Sequence, residues 1–135
     1  MSLLLILFLA LDLAAIRQEP NPERRSERAT DNAMAAMESA REASTAGNFE
    51  KMKMSLNELR ESVDLAYESL EGSGKDARKS PKFFKRAELK TRELVRRLEG
   101  LAQSVDPDQR VLVESVRDSV SKVHDELIQD IMHKK

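Results

Sequence analysis

The chain has 135 residues, 35% of them charged and 4% aromatic, with four glycines, four prolines and no cysteine. This suits one domain of ordinary size and favours solvent-facing helices over sheets. It excludes disulfides, thiolate metal sites, thiol nucleophiles and a lipid-modified cysteine. The formal charge of −1 at pH 7 points to no partner, and loss of Asp12 with an N-terminal segment would bring it to about zero.

Residues 3–11 are apolar without a break and are followed by Asp12, Leu13, Ala14, Ala15 and a polar run from Arg17. A hydrophobic core followed by small residues is the pattern of an export signal. Cleavage is expected near Ala15, with residues 16–22 as a short linker and the product in the periplasm or secreted. The apolar run is about half the roughly 20 residues a helix needs to span a bilayer, so no permanent span is expected after cleavage. No Lys or Arg precedes the run. The alternatives are an anchor retained uncleaved and an apolar segment buried in a cytosolic fold.

Asn21-Pro22-Glu23 combines a capping residue, a proline and an acid, and predicts a helix over 22–46. Its apolar positions, Ala29, Ala33, Ala36, Ala40 and Ala43, step by four and three. Gly47-Asn48 supplies a stop and a new cap, and predicts a tight reversal into a helix over 49–71. Here Phe49, Met52, Leu56, Leu59, Val63, Ala66 and Leu70 form an unbroken heptad seam. Residues 72–80 read as an exposed loop with Ser80 capping a helix over 81–105. The seam of that helix is Phe84, Ala87, Thr91, Leu94, Leu98, Leu101 and Val105. Asp106-Pro107 opens the last helix, over 107–133, with Val113, Val116, Val120, Val123, Leu127 and Ile131 inward. The fold class expected is all-α: an antiparallel up-down four-helix bundle made of two helical hairpins. A homodimer is a further possibility, because the alanine seam buries little apolar area.

Ala43-Ser44-Thr45-Ala46-Gly47-Asn48-Phe49-Glu50 resembles the turn between the two helices of a tetratricopeptide repeat. The likeness covers one turn and does not recur at a 34-residue period, so it reads as shared turn physics.

No pattern for catalysis or a cofactor emerges. Glu23 with Glu27, and Glu58 with Glu61, are acids one turn apart that read as solvated faces. Asp130-x-x-His133 is the nearest approach to the Glu-x-x-His motif of bundle metal sites, and no second such pair joins it. His124, next to Val123, is expected to border the core. Met34, Met37, Met52 and Met54 could hold monovalent copper, but core filling is the simpler account. An enzyme is not expected, nor a cofactor or metal.

The strongest local signal is charge. From Lys75 to Arg97 ten bases face three acids, a net of +7, whereas residues 106–130 carry a net of −4. Either the third helix is compensated by acidic second and fourth helices, or the strip docks on an anionic surface. The candidate contact residues are Lys75, Arg78, Lys79, Lys82, Phe83, Lys85, Arg86 and Lys90. Phospholipid, acidic polysaccharide or an acidic protein are the partners to expect. Nucleic acid is disfavoured by export and by the scarcity of stacking aromatics. The function expected is therefore binding or scaffolding as an envelope-associated accessory, and the alternative is a ligand or metal carrier using the bundle interior.

Overall fold

A computed structural model describes residues 12–132, and all regular structure within them is helical. Four long helices, α1 (Pro22–Thr45), α2 (Phe49–Glu71), α3 (Pro81–Ser104) and α4 (Pro107–Met132), follow a short helical stretch over 12–17. The apolar run 3–11 and His133 lie outside the described residues.

Local chemistry accounts for the boundaries. The Asn21 side chain accepts hydrogen bonds from the backbone N–H groups of Glu23 (3.0 Å) and Arg24 (3.2 Å), satisfying two donors at the start of α1. Gly47 has φ +72°, a conformation that costs a residue without a Cβ little, and reverses the chain. Asn48 then caps α2 by accepting from the Lys51 N–H at 3.1 Å. Ser80 departs from expectation: its side chain makes no capping hydrogen bond. Asp76 organises this turn instead. Its carboxylate accepts from the Arg78 N–H at 2.8 Å, and its carbonyl accepts from the N–H groups of Lys79 and Ser80.

The expected seams are interior. The five seam alanines of α1, Ala29, Ala33, Ala36, Ala40 and Ala43, are at most 2% exposed, and Leu56, Leu59, Leu94, Leu98, Val113, Val116 and Val120 are sealed from solvent. Phe49, Val123 and Ile131 are only half-buried: Phe49 opens α2, Ile131 lies in the last turn of α4, and Val123 packs at the margin of both apolar clusters. A second apolar cluster, Leu70, Ala77, Phe84, Ala87 and Leu127, closes the end that carries the 72–80 connection.

The helices associate with a particular neighbourhood. α1 packs most extensively on α2, and α3 on α4; α1 also lies beside α3 and α2 beside α4, while α2 and α3 barely touch. Polar pairs give the directions. Asn32 meets Ser62 and Ser39 meets Ser55, so α1 and α2 are antiparallel. Lys75 meets Glu23, Lys90 meets Asp31 and Arg97 meets Glu38, so α1 and α3 run parallel. The 72–80 connection therefore carries the chain across one end between helices that are not close neighbours.

Two features were not anticipated. Leu13 and Ile16 are 4% and 5% exposed and pack on Ala29, Leu65 and Ala66. The expected linker 16–22 thus begins inside a docked helix rather than in free chain. Burial of two such side chains stabilises this docking by roughly 3 to 6 kcal/mol before the entropy of ordering the segment is charged against it. The second feature is a polar ladder between α1 and α2, in which Arg25 donates to Ser69 (2.7 Å), Asn32 to Ser62 (2.9 Å) and Ser55 to Ser39 (3.1 Å). The rungs recur every seven residues in each helix. Serine and alanine are small, so the helices approach closely while each buried hydroxyl keeps a partner.

Candidate functional site

The basic strip divides into paired and unpaired halves. Lys75 bonds Glu23 at 3.1 Å, Arg86 pairs with Glu27, Lys90 lies 3.9 Å from Asp31, and Arg97 reaches Glu38 at 3.5 Å. Arg96 and Arg97 also hold Glu93, at 2.6 and 3.0 Å. The compensating acids thus come chiefly from α1 and from α3 itself, not from α2 and α4 as expected. The reason is geometric: α1 runs parallel to α3 and presents Glu23, Glu27, Asp31 and Glu38 along the shared edge.

Arg78, Lys79, Lys82 and Lys85 are exposed and form no ion pair among the described residues. They occupy the turn before α3 and its first residues. The first turn of α3 contains no acid, so these charges add to the positive end of the helix dipole instead of opposing it. Phe83 stands among them. It is half-buried, with one side against the cluster around Phe84 and Leu127, and its ring lies 5.3 Å from Lys82 Nζ and 5.9 Å from the Arg86 guanidinium. Of the eight candidate contact residues, Lys75, Arg86 and Lys90 are engaged with carboxylates and Phe83 is partly committed to the core. The remaining four are the uncompensated patch.

Two acid clusters escaped the sequence reading. Glu88 is 6% exposed. Arg92 donates to both of its oxygens at 2.9 Å, and His124 Nε2 lies 2.8 Å from Oε2. An ionised carboxylate only accepts, so Nε2 carries the proton in this contact. Burial alone would raise the Glu88 pKa, but the hydrogen bonds from His124 and Arg92 outweigh it and hold the carboxyl below its usual value. His124 does border the core, as expected, and it ties α4 to α3.

The other cluster lies beneath the basic turn. A cavity of about 230 Å³ is lined by Glu71, Lys75, Asp76, Ala77, Arg78, Phe84 and Asp130. Burial, a hydrogen bond with Asp130 and the charges of Asp130 and Glu126 push Glu71 up to about 7. Tyr67, whose hydroxyl is 3.3 Å from Glu126, is raised by burial and then by the surrounding acids. Glu58, read as solvated, accepts from Asn32 at 3.0 Å; burial raises its pKa against that hydrogen bond.

The methionines do not converge. Met37 and Met52 are sealed in the core, Met34 packs at its margin, and Met54 is 44% exposed. Among the described residues no three His, Asp or Glu side chains are placed to hold a metal ion, and no helix is long and apolar enough to cross a membrane. Comparison with protein-family models, with curated proteins and with solved structures finds no match for this chain.

Proposed function

We propose that this chain is an exported, non-enzymatic four-helix bundle of two hairpins that acts as an envelope-associated accessory. It docks on an anionic phospholipid surface through the turn before α3 and that helix's first residues. The observation that carries this reading is the uncompensated patch of Arg78, Lys79, Lys82 and Lys85. Six of the ten bases between Lys75 and Arg97 have acid partners, and the remaining four are gathered within the eight residues from Arg78 to Lys85. Like charges gathered at the positive end of a helix repel one another, and an external anion relieves that cost.

The patch is mainly lysine, flexible and open to solvent, which suits a surface of many phosphates more than one recognised group. The apolar run 3–11 supports an address at or beyond a membrane. The test is co-sedimentation with vesicles of phosphatidylglycerol and phosphatidylcholine against phosphatidylcholine alone. Binding confined to the anionic vesicles, weakened by salt and abolished by the triple reversal Lys79→Glu, Lys82→Glu, Lys85→Glu is expected. Equal binding by the reversed protein, or binding to neither vesicle, rejects the proposal. Preference for a polyanionic polysaccharide or an oligonucleotide over the vesicles would reassign the partner.

A further inference from the structure

The basic turn has an acidic floor. Arg78 and Lys75 line the same cavity as the carboxyl groups of Glu71 and Asp130. Glu71 ends α2 and Asp130 lies in the last turn of α4, so each stands at the negative end of a helix dipole. Asp130 Oδ2 is buried and has no hydrogen-bond partner among the described residues. Two carboxyl groups placed together in this setting resist ionising together, and one proton held between them satisfies a buried oxygen. The position of Glu71's titration, pushed up to about 7 chiefly by burial and then by Asp130, agrees with that arrangement.

We infer that the Glu71–Asp130 pair, by holding or releasing one shared proton, controls how much of the basic turn is free to meet an anionic surface. The inference rests on the docking reading above and adds its regulation. With the proton held, the pair carries one negative charge. With the proton released, two negative charges face the cavity and draw the Arg78 guanidinium inward, so that an internal ion pair competes with the head groups.

The groups facing the pair limit the alternatives. α2 contributes Tyr67, whose hydroxyl donates to Glu126, and α4 contributes Glu126, whose charge favours retention of the proton on Glu71. The turn contributes Lys75, Asp76 and Arg78, with Lys75 also held by Glu23 of α1. α3 contributes only the uncharged Phe84. His133 follows Asp130 by three residues in the sequence, and histidine is the side chain whose charge ordinarily changes between pH 5 and 8, so it enters the test.

Removing one basic charge from a patch at a lipid surface weakens binding roughly 5-fold, so full-length protein should bind phosphatidylglycerol vesicles about 5-fold more tightly at pH 6 than at pH 8. Lipid phosphodiesters keep their charge across that range. Glu71→Gln should bind equally at both values, with the unmodified protein's strength at the lower pH, and His133→Asn should keep the unmodified pH dependence. In the absence of vesicles, the carboxyl carbon of Glu71 should titrate near neutral pH when followed by NMR. Titration confined to the ordinary carboxylate range, a pH dependence surviving in Glu71→Gln, or its loss in His133→Asn overturns the inference. Binding that requires Lys82 but is equal at both pH values overturns this inference and leaves docking intact. No binding at either pH removes the docking reading and this inference with it.

Discussion

Replacing His124 with alanine tests whether the Glu88 cluster is a structural tie. Glu88 has 8% of its side chain exposed and Arg92 has 62%, while His124 at 2.8 Å is the contact that reaches it from another helix. Removing the imidazole leaves a buried carboxylate with only a largely solvated arginine. A hydrogen bond to a charged group contributes about 1.5–3 kcal/mol, and stranding the acceptor adds desolvation, so His124→Ala should cost about 2–3 kcal/mol at neutral pH. Glu88→Gln keeps the shape and removes the charge that must be compensated. The double variant Glu88→Gln, His124→Ala should therefore cost less than the sum of the singles, by about 1 kcal/mol. Because the folded protein holds Glu88 below its usual pKa, the stability this contributes is present above the unfolded value and is lost as pH falls through the folded one. Urea unfolding followed by circular dichroism at neutral and acid pH measures all of these quantities. A cost below about 0.5 kcal/mol for His124→Ala, with singles that simply add, would refute the reasoning.

Three further outcomes concern Glu71, Asn32 and the 12–17 helix. Glu71 is raised to about 7, so its stabilising influence is complete below the unfolded value and is lost as pH rises through neutrality; Glu71→Gln should gain about 1 kcal/mol above neutral pH after allowance for its exposure, and nothing at acid pH. Thermal melts at the two pH values check this. Asn32→Ala should cost about 1–2 kcal/mol in urea unfolding, since it strips the donor from Glu58 and Ser62. Leu13→Ala with Ile16→Ala should release the 12–17 helix and make Arg17 a rapid tryptic site, with a loss of about 2–3 kcal/mol; unchanged proteolysis would show that this segment is not docked.

Much of the fold was legible because its signals are local. Asn21, Gly47 and Asn48 act through their immediate backbone neighbours, and the apolar seams repeat within each helix, so both could be read without knowing what packs where. Neighbourhood was not legible. That α1 lies parallel to α3 depends on four acids of one helix meeting bases more than fifty residues away, and no single window contains both sides. The polar ladder did leave a trace: Ser55, Ser62 and Ser69 recur by seven, as do Arg25, Asn32 and Ser39, but a search for apolar periodicity passes over polar repeats. Glu88 looked like one of the few acids of a basic strip, and only the antiparallel placement of α4 brings His124 to it. For the candidate contact surface, composition located the charge correctly along the chain, but ion pairing decided which bases remain available.

The most direct test of the central claim is binding of the full-length protein to phosphatidylglycerol-containing vesicles across a salt series, beside the Lys79, Lys82, Lys85 triple reversal. The account predicts tight binding at low salt that weakens steeply as salt rises and disappears in the reversed protein, with the helical content of both unchanged. Binding that ignores salt and survives charge reversal would contradict it.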